Sequence, residues 1–550
     1  MQLLRTHYNR SGESVTGVIR GRTALAGVTG ATFTIALFSA ISKAVGFLRD
    51  RTLAVAFGVG AESDAYLVAV WIPALMVALF MNGVRVALLP VFTEQRIKGD
   101  EAGAFRLAST VLLLAVLLSG VLVLAGCIWT PALVRLVAPG FDERTSPITA
   151  ELLRIVLPGM VFAAAAAVIS AVLHAHRVFG PVAAGPAILN IATISAIGAL
   201  ARIWGVKAAA AGFLCGQIAQ LLILLPYLSG RWTPSCSLRG LNDPGLRAVL
   251  RMTGPLTVAA FFTQGSSIIE KYVASGLGSG SVAALAFANK LILLPVGLFS
   301  TAVSTAVYPS LAEAASRGDL TKLAGRVRKG VRALAYISMP AAFGLAFIRY
   351  PIVRLLFERG AFDSNATEAT SAAVLWYSMG MVFLSVQPVF TRALNATKDT
   401  ATTSAITVCG IIIHALAARV LSVSMGYSGL ALAASIHAAF ALALTAILFH
   451  RRLGAWFDWS DLGVFLARLL LCSAAMIPVV LSALKLTASL LGGRLLPVVA
   501  GVGSGVLTYF ALSLLLGIEE TRMVAGFVVK GLASLRYGRA FCFPRNDRST

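Results

Sequence analysis

The chain has 550 residues, of which 58% are hydrophobic and 13% are charged. A soluble protein carries about 25% charged residues, so the composition excludes a water-soluble protein and predicts one that crosses a membrane many times. Lysine and arginine number 46 against 23 acidic residues, which gives a net charge of +23. Because these cations cluster at the ends of apolar segments, they indicate membrane topology, and no nucleic acid is expected as a partner.

Apolar runs of about 20 residues, the length needed to cross a bilayer, recur along the chain and predict about fourteen transmembrane helices. The first six are expected near residues 25–48, 65–90, 104–129, 151–175, 181–203 and 207–229. The next six are expected near residues 250–275, 282–308, 328–348, 368–394, 401–421 and 427–449, and the last two near 463–485 and 495–518. The predicted fold class is therefore an all-α polytopic membrane protein.

The chain contains a long internal repeat. The run Gly-Met-Val-Phe at residues 159–162 recurs at residues 380–383. A period this long is not a solenoid unit, but it is typical of a transporter whose halves arose by duplication. The repeat predicts two six-helix lobes followed by two extra C-terminal helices. Because an even number of helices separates the copies, the lobes should share one topology and hold the substrate path between them.

The spans and the repeat together predict the domain organisation and the topology. In chain order we expect an N-terminal extension (1–24), a first lobe (25–229), an inter-lobe linker (230–249), a second lobe (250–450), two extra helices (451–518) and a basic tail (519–550). Counted over alternate connections, one side of the membrane collects more than twice as many lysines and arginines as the other. The positive-inside rule therefore places both termini in the cytoplasm, with anionic membrane lipids as partners of the surplus charge.

The sequence shows no signature of an enzyme. It contains no nucleotide-binding loop, metal-ligand cluster or nucleophilic triad, and its six cysteines lack paired or metal-type spacing. We expect no metal and no cofactor, and no ATP bound to this chain to drive transport. The membrane potential, a proton or a sodium ion remain open as the coupling force. The short outer loops also disfavour a glycan-polymerising enzyme or an envelope scaffold.

Ionisable side chains at membrane depth are candidate functional residues, since each costs about 2.5–3.5 kcal/mol to insert. Most of them are cations, with one clear buried carboxylate and one aspartate at the mouth of the second span. Along the chain they are Lys43, Arg49, Asp64, Arg85, Glu270, Lys271 and Lys290. The surplus of cations predicts an electropositive cavity that binds an anionic ligand such as a diphosphate.

Alternative interpretations of these side chains remain open at this point. Arg49 also fits a position at a helix end, from which its long side chain can extend the charged group to the membrane interface. Glu270 is a candidate for coupling or for an ion pair, either with Lys271 or, across the hairpin of spans 7 and 8, with Lys290. The histidines are scattered, and those in apolar helices are interpreted as lone packing residues rather than proton relays.

Several motifs resemble those of one family of bacterial transporters. The opening segments are Ser-Lys-Ala-Val-Gly-Phe-Leu-Arg-Asp at residues 42–50, Phe-Gly-Val-Gly at 57–60 and Asp-Ala-Tyr at 64–66. Further matching segments lie at residues 138–141, 190–191, 280–282, 294–298, 308–311 and 357–362. Together they resemble the MurJ (MviN) family of lipid II flippases, within the multidrug/oligosaccharidyl-lipid/polysaccharide exporter superfamily. The resemblance covers about residues 25 to 520.

The resemblance implies a two-lobed, fourteen-helix flippase that works by alternating access. It would move the undecaprenyl-diphosphate-linked peptidoglycan precursor, lipid II, from the inner to the outer leaflet. The family's cavity arginines map to Lys43, Arg49 and Lys290, and its first-loop aspartate maps to Asp64. The last two helices would form an apolar groove for the lipid tail. One chain holds a complete path, so a functional monomer is expected.

The sequence departs from the family pattern in helix 2. The usual paired arginines and downstream glutamate are replaced by Val77, Ala78 and Asn82, and Arg85 would restore a cation one turn later. Two of the three mapped cavity cations are lysines, which lack the bidentate fork of arginine. Another polyprenyl-diphosphate-linked saccharide, such as an exopolysaccharide or O-antigen unit, is therefore the alternative substrate. An ion-coupled drug exporter is a weaker alternative, because it would need more buried carboxylates than Glu270.

Overall fold

The computed structural model describes residues 37–228, 232, 242–397, 399–453, 459–491 and 493–522. Throughout these residues the regular structure is helical, which confirms the all-α fold class. The predicted N-terminal extension, most of the inter-lobe linker and nearly all of the basic tail lie outside the described residues.

Sixteen α-helices, which we number α1 to α16, can be followed in the described residues. The first eight are α1 (residues 37–57), α2 (Ala61–Ile97), α3 (Glu101–Ile128), α4 (Thr130–Val137), α5 (Thr145–Val156), α6 (Gly159–Ala175), α7 (Gly180–Trp204) and α8 (Lys207–Leu222). The others are α9 (Pro244–Ala274), α10 (Ser281–Ser316), α11 (Leu320–Phe347), α12 (Arg349–Phe357), α13 (Ser364–Ala396), α14 (Thr400–Leu453), α15 (Trp459–Leu491) and α16 (Leu495–Leu515). The first predicted span ended at residue 48, whereas α1 continues to residue 57.

The helices confirm a multi-pass membrane protein. Among the described residues, nine helices are long and apolar enough to cross a bilayer, and the bent pair α5–α6 makes ten. The bend between α5 and α6 is 43° and lies at Leu157-Pro158, where a proline interrupts the predicted continuous span. The count of fourteen membrane spans stays a prediction.

The internal repeat is visible in the helix bounds. Helices α3 and α11 each contain 28 residues. Each is followed by a short helix, α4 or α12, which the apolar pattern did not predict. The offset from the start of α3 to the start of α4 equals the offset from α11 to α12. Even the glycine turns correspond, because Gly205 and Gly426 have φ values of 57° and 58°. These parts of the two copies of the repeat therefore follow the same backbone path.

Helix α14 is a hairpin of two antiparallel arms that reverse at Gly426. The backbone there adopts φ 58° and ψ −138°, outside the helical region. The arms run side by side, since Arg452 donates to the hydroxyl of Thr402 and the ring of His437 contacts the carbonyl of Gly410. This one element therefore contains both the eleventh and the twelfth predicted spans.

The chain divides into two compact units. The first runs up to Ala283 and includes Arg359–Phe362, and the second comprises Ala284–Glu358 and the chain from Asp363 onward. Each unit has its own apolar core, centred for example on Phe92 in the first and on Phe390 in the second. Helix α9 belongs to the first unit and packs on α2. The predicted division at residues 230–249 followed the sequence repeat, and it stays a prediction.

Gly58 is the turn residue on which the approach of α1 to the segment 359–362 depends. Its φ is 67°, and a Cβ atom at this position would overlap the carbonyl oxygen of Ala361. We expect Gly58→Ala to lower the free energy of unfolding by about 1–3 kcal/mol, measured by thermal unfolding in detergent micelles. Gly60→Ala is the matched control, because Gly60 is extended and a Cβ atom there would meet no other atom within 4 Å. Equal effects of the two substitutions would contradict this prediction.

Candidate functional site

Asp64 is the most tightly held of the predicted site residues. It lies in the first turn of α2 and is 1% exposed. The backbone amide of Gly280 donates to its Oδ2 at 2.6 Å, and the amide of Ala283 donates to its Oδ1 at 2.7 Å. Both amides belong to the start of α10, where a carboxylate complements the positive end of the helix dipole. Asp64 therefore fixes the start of α10 against α2 in this conformation.

Glu270 and Lys271 form an ion pair close to Asp64. The Nζ of Lys271 lies 3.5 Å from Oε1 of Glu270, and the two side chains are 10% and 12% exposed. Lys271 also interacts electrostatically with Asp64. The structure forms the Glu270–Lys271 pairing, which is one of the two that the sequence left open. The structure thus brings three of the predicted site residues together in the first unit.

A third carboxylate, Asp142, adds to this cluster from the loop between α4 and α5. Hydrogen bonds from the hydroxyl and the amide of Thr145 hold the pKa of Asp142 below its ordinary value, so the group is anionic at neutral pH. Asp142 interacts electrostatically with Asp64. Nearby, the amide of Gly140 donates to Oγ of Ser275 at 3.1 Å. The cluster therefore contains three carboxyl groups, those of Asp64, Asp142 and Glu270, and the ammonium of Lys271.

Arg49 is paired with a residue that sequence reasoning missed. Its Nη2 lies 2.6 Å from Oδ1 of Asp50, and Asp50 is 2% exposed. The fully buried phenol of Tyr66 lies in the electrostatic field of both groups. The predicted span ended at residue 48, so Asp50 was not counted as a carboxylate at membrane depth. The Arg49–Asp50 pair reduces the predicted surplus of positive charge by one.

The remaining predicted cations lie on three helices. The side chain of Lys43 on α1 and that of Lys290 on α10 are exposed. Arg85 on α2 is half-buried and interacts electrostatically with His174 at the end of α6. Since Lys290 belongs to the second unit and the others to the first, a cavity that joins these cations stays a prediction.

The helix 2 positions that depart from the family pattern line a cavity of about 180 Å³ in the first unit. Its polar groups are the amides of Asn82 and, from α8, Gln217. The remaining lining is apolar, and it includes Val77, Ala78 and Met160. At the three positions where the family pattern has charges, this chain therefore has two apolar side chains and one neutral amide.

A larger apolar cavity of about 550 Å³ lies in the second unit. Its walls come from α10, α11, α12, α15 and α16, and they are lined by residues such as Leu291, Ile352, Met476 and Phe510. Both C-terminal helices, α15 and α16, which lie outside the predicted repeat, contribute residues to its wall. Its chemistry suits a hydrocarbon chain and not a charged group.

Among the described residues, no group of three or more histidines, cysteines and carboxylates is arranged to hold a metal ion. The interpretation of the histidines in apolar helices as lone residues is wrong for one pair, because the rings of His414 and His437 stack with centroids 5.4 Å apart.

Comparison with known proteins identifies the family. The sequence model described as "Lipid II flippase MurJ" matches residues 53–500. Lipid II flippase MurJ of Burkholderia cenocepacia is 30% identical over 420 residues, which cover 74% of this chain and 81% of that protein. The probable lipid II flippase MurJ of Thermotoga maritima is 28% identical over 407 residues, covering 74% and 82%.

Solved structures show the same fold. Lipid II flippase MurJ in an inward closed conformation superposes with a TM-score of 0.75 at 23% identity, covering 87% of this chain and 97% of that one. An inward-facing multidrug resistance MATE transporter of the MOP superfamily gives a TM-score of 0.65 at 15% identity, covering 75% and 95%. With the family model matching most of its length, the chain belongs to the lipid II flippase MurJ family, a family of bacterial multi-pass inner-membrane transporters and not of enzymes.

Proposed function

We propose that this protein translocates lipid II from the inner to the outer leaflet of the bacterial cytoplasmic membrane by alternating access. The observation that carries this proposal is the match of the MurJ family model to residues 53–500. The repeated helix bounds support it, because two copies of one helical path are the architecture of an alternating-access transporter.

The head group of the lipid would be held by the cations of the first and eighth spans. Lys43 and Lys290 are exposed, so each ammonium is accessible to a diphosphate oxygen. Arg49 would contribute through the N–H donors that Asp50 leaves available, since guanidinium has five. Contacts of Asp64 with the substrate would require its buried carboxylate, which is 1% exposed here, to become accessible. Arg85 would act from the side of α2 that faces His174.

The lipid tail would occupy the apolar cavity of the second unit. The two hydroxyls at its wall are already bonded, because Tyr509 donates to the carbonyl oxygen of Tyr336 at 2.8 Å and the Tyr336 hydroxyl lies 3.3 Å from that of Ser513. The surface left for a ligand is therefore almost wholly hydrocarbon. A polyprenyl chain gains free energy there through burial, at about 25 cal/mol for each Å² of apolar surface removed from water.

The topology that we propose keeps both termini in the cytoplasm, as the distribution of lysine and arginine predicts. We also propose that the monomer is the functional form, because the two copies of the repeat lie in one chain. The coupling force is the membrane potential, a proton or a sodium ion.

A second candidate substrate is another polyprenyl-diphosphate-linked saccharide. The observation that favours it is the cavity lined by Val77, Ala78 and Asn82, where two apolar side chains and one amide replace the family's charges. Neutral amides hydrogen-bond to sugar hydroxyls as readily as to a peptide, so a head group that lacks the peptide of lipid II also fits this cavity.

Complementation tests the proposed substrate directly. We expect this chain to support growth of a bacterium depleted of its own lipid II flippase, and to restore lipid II in the outer leaflet as scored by a surface-labelling assay. The matched control is the Lys43→Ala/Lys290→Ala double variant, with membrane insertion checked by immunoblotting. A well-inserted chain that restores neither growth nor surface lipid II would contradict the lipid II assignment and favour the second candidate.

A further inference from the structure

A second apolar cavity in the second unit is larger than the one assigned to the lipid tail. Its volume is about 670 Å³, and its walls come from α11, α13, α14 and α15. The two cavities lie on different faces of α11, since Ala335 and Met339 line this one and Ile337 and Gly344 line the other. The proposed function therefore leaves the larger cavity without an occupant.

This cavity is a groove that opens toward the bilayer. Its floor includes Val331, Val386 and Phe390, which are all buried, whereas Ala443 of α14 and Leu470 of α15 are exposed at its edges. Helix α14 packs against α13, and α15 packs against α11, but little packing joins α14 to α15 in the described residues. The groove is therefore open between α14 and α15, where membrane lipid can reach it.

The groove fits a hydrocarbon chain in chemistry and in length. The hydroxyl of Ser378, a polar group of its lining, already donates to the carbonyl oxygen of Leu375 at 2.6 Å. Along α11 the lining extends from Val331 to Phe347, a rise of about 24 Å at 1.5 Å per residue. One leaflet contributes about 15 Å of hydrocarbon, so a fatty acyl chain can lie in the groove over its whole length. Such a chain gives the wall the van der Waals contacts that an empty groove would lack.

An aromatic cluster marks one end of the groove. Trp459, in the first turn of α15, lines the groove, and its Nε1 donates to Nδ1 of His450 at 2.9 Å. The indole also stacks on the ring of Phe390, with centroids 6.3 Å apart and an interplanar angle of 1°. Tryptophan is enriched at the level of the lipid head groups, which indicates that this end of the groove lies at a membrane surface.

Two accessible arginines lie at the same end. Arg328 is on α11, one turn before the groove begins, and its Nη1 lies 3.6 Å from Oδ2 of Asp461. Its side chain is 39% exposed, so this one contact leaves other N–H donors of the guanidinium accessible. Arg451 follows His450 and is exposed, and it forms no ion pair within the described residues. Because Asp461 and the His450 partner Trp459 belong to one turn of α15, both arginines lie beside the start of that helix.

A third arginine holds this end of the groove together. Arg332 forms ion pairs with Asp461 at the start of α15 and with Glu520 after α16. Its guanidinium carbon lies 4.3 Å from the centroid of the Phe465 ring. These contacts fix α15 against α11, so the surface around Arg328 is formed before any ligand binds.

Positive charge is in surplus at this end within the described residues. The cations of the wall helices there are Arg328, Lys329, Arg332, Arg392, Arg451 and Arg452. The carboxylates of the same region are Asp399, Asp461, Glu519 and Glu520. Pairing each carboxylate with one cation, as Asp399 pairs with Arg452, leaves cations over. The groove thus combines an apolar interior with a basic end.

We propose that this groove binds an anionic phospholipid, with an acyl chain along the groove and the phosphate at Arg328 and Arg451. Basic pockets between transmembrane helices recognise anionic lipid head groups in this way. In the proposed topology α11 begins in the cytoplasm, so the lipid comes from the inner leaflet. The site is distinct from the cavity assigned to the tail of the transported lipid, and binding there does not depend on which substrate is transported.

The first test compares two phospholipids that have the same acyl chains. The delipidated full chain in detergent is titrated with phosphatidylglycerol or phosphatidylcholine, and the tightest binding is measured by native mass spectrometry. Each arginine near a head group raises the affinity for an anionic lipid by about fivefold, so the two together favour phosphatidylglycerol by about thirtyfold. We expect the Arg328→Gln/Arg451→Gln double variant to lose this preference.

Arg106→Gln is the matched control for the head-group contact, because Arg106 is an exposed cation on α3 of the first unit. We expect this variant to keep the preference for phosphatidylglycerol. Equal binding of the two lipids by the parent chain would overturn the proposal. A preference that survives in the double variant would also overturn it, since the head group would then be bound elsewhere.

The second test locates the acyl chain. Ala443 is at the exposed edge of the groove, so Ala443→Trp fills the groove from outside the buried core, whereas Ala405→Trp adds the same side chain at an exposed position of α14 outside the groove. We expect Ala443→Trp to weaken phosphatidylglycerol binding by about tenfold or more, and Ala405→Trp to leave it unchanged. Unchanged binding by Ala443→Trp would overturn the proposal.

A polyprenyl chain is the competing occupant of the groove, and undecaprenyl phosphate is the probe for it. We expect this probe to bind the parent and Ala443→Trp equally well, because the groove is not its site. Tighter binding of undecaprenyl phosphate than of phosphatidylglycerol, lost in Ala443→Trp, would assign the groove to a polyprenyl chain and overturn the proposal. None of these measurements involves transport, so a failure here is distinguishable from a failure of the proposed function.

Discussion

Replacement of Asp64 by alanine is expected to lower the free energy of unfolding by about 3 kcal/mol and to abolish transport. The carboxylate accepts two hydrogen bonds from the amides of Gly280 and Ala283, at 2.6 and 2.7 Å. A hydrogen bond to a charged group contributes about 1.5–3 kcal/mol, and removal of the acceptor leaves both amides buried and unpaired. The measurement is thermal unfolding in detergent micelles, together with complementation of a flippase-depleted strain.

Glu62→Ala is the matched control for this prediction. Glu62 lies in the same first turn of α2, two residues earlier, but its side chain is exposed. Its truncation should change the stability by less than about 0.5 kcal/mol. Asp64→Asn separates the contributions further, since it keeps one acceptor oxygen but turns an NH₂ group toward a backbone N–H. If Asp64→Ala and Glu62→Ala were equally stable, the anchoring of α10 by this carboxylate would be disproved.

The helices could be predicted from the sequence because the bilayer fixes their length and apolarity. The third span, predicted at residues 104–129, corresponds to α3 at Glu101–Ile128. The prediction failed where local geometry, and not hydropathy, decides the path. The short helices α4 and α12 have only 8 and 9 residues, and apolar runs of that length carry no signal for a membrane span.

The candidate site was harder to predict because its contacts join distant residues. Asp64 was selected by its motif, but its partner Gly280 lies 216 residues away. Asp50 was missed for a different reason, since the predicted end of the first span at residue 48 placed it outside the membrane. The helix continues to residue 57, and a longer span would have included the aspartate beside Arg49.

The His414–His437 pair left a signal in the sequence that was not used. The two predicted spans 401–421 and 427–449 imply a reversal near residue 425, and the histidines are nearly equidistant from it. Two antiparallel helices place such residues at the same depth. Interpreting each histidine on its own helix, without folding the hairpin, made both seem isolated.

Truncation of the predicted cavity cations is expected to have the largest effect on function. We expect Lys43→Ala, Arg49→Ala and Lys290→Ala each to abolish complementation while the protein still inserts in the membrane. Loss of one charge-assisted contact to a diphosphate costs about 1.5–3 kcal/mol, which corresponds to about a tenfold to hundredfold loss of affinity. The charge-preserving Lys43→Arg and Lys290→Arg should retain function if charge alone is required.

The three positions do not report equally well on substrate binding. Arg49→Ala leaves the buried Asp50 without its cation, so a loss of function there could come from a loss of stability. Lys43 and Lys290 are exposed, so their truncation should lower the unfolding temperature less than Arg49→Ala does and give the cleaner test. Arg468→Ala, at an exposed cation near the start of α15, is the control that should retain function. Normal complementation by all three truncations would remove the cationic-cavity mechanism, because no single charge could then be essential for holding the diphosphate.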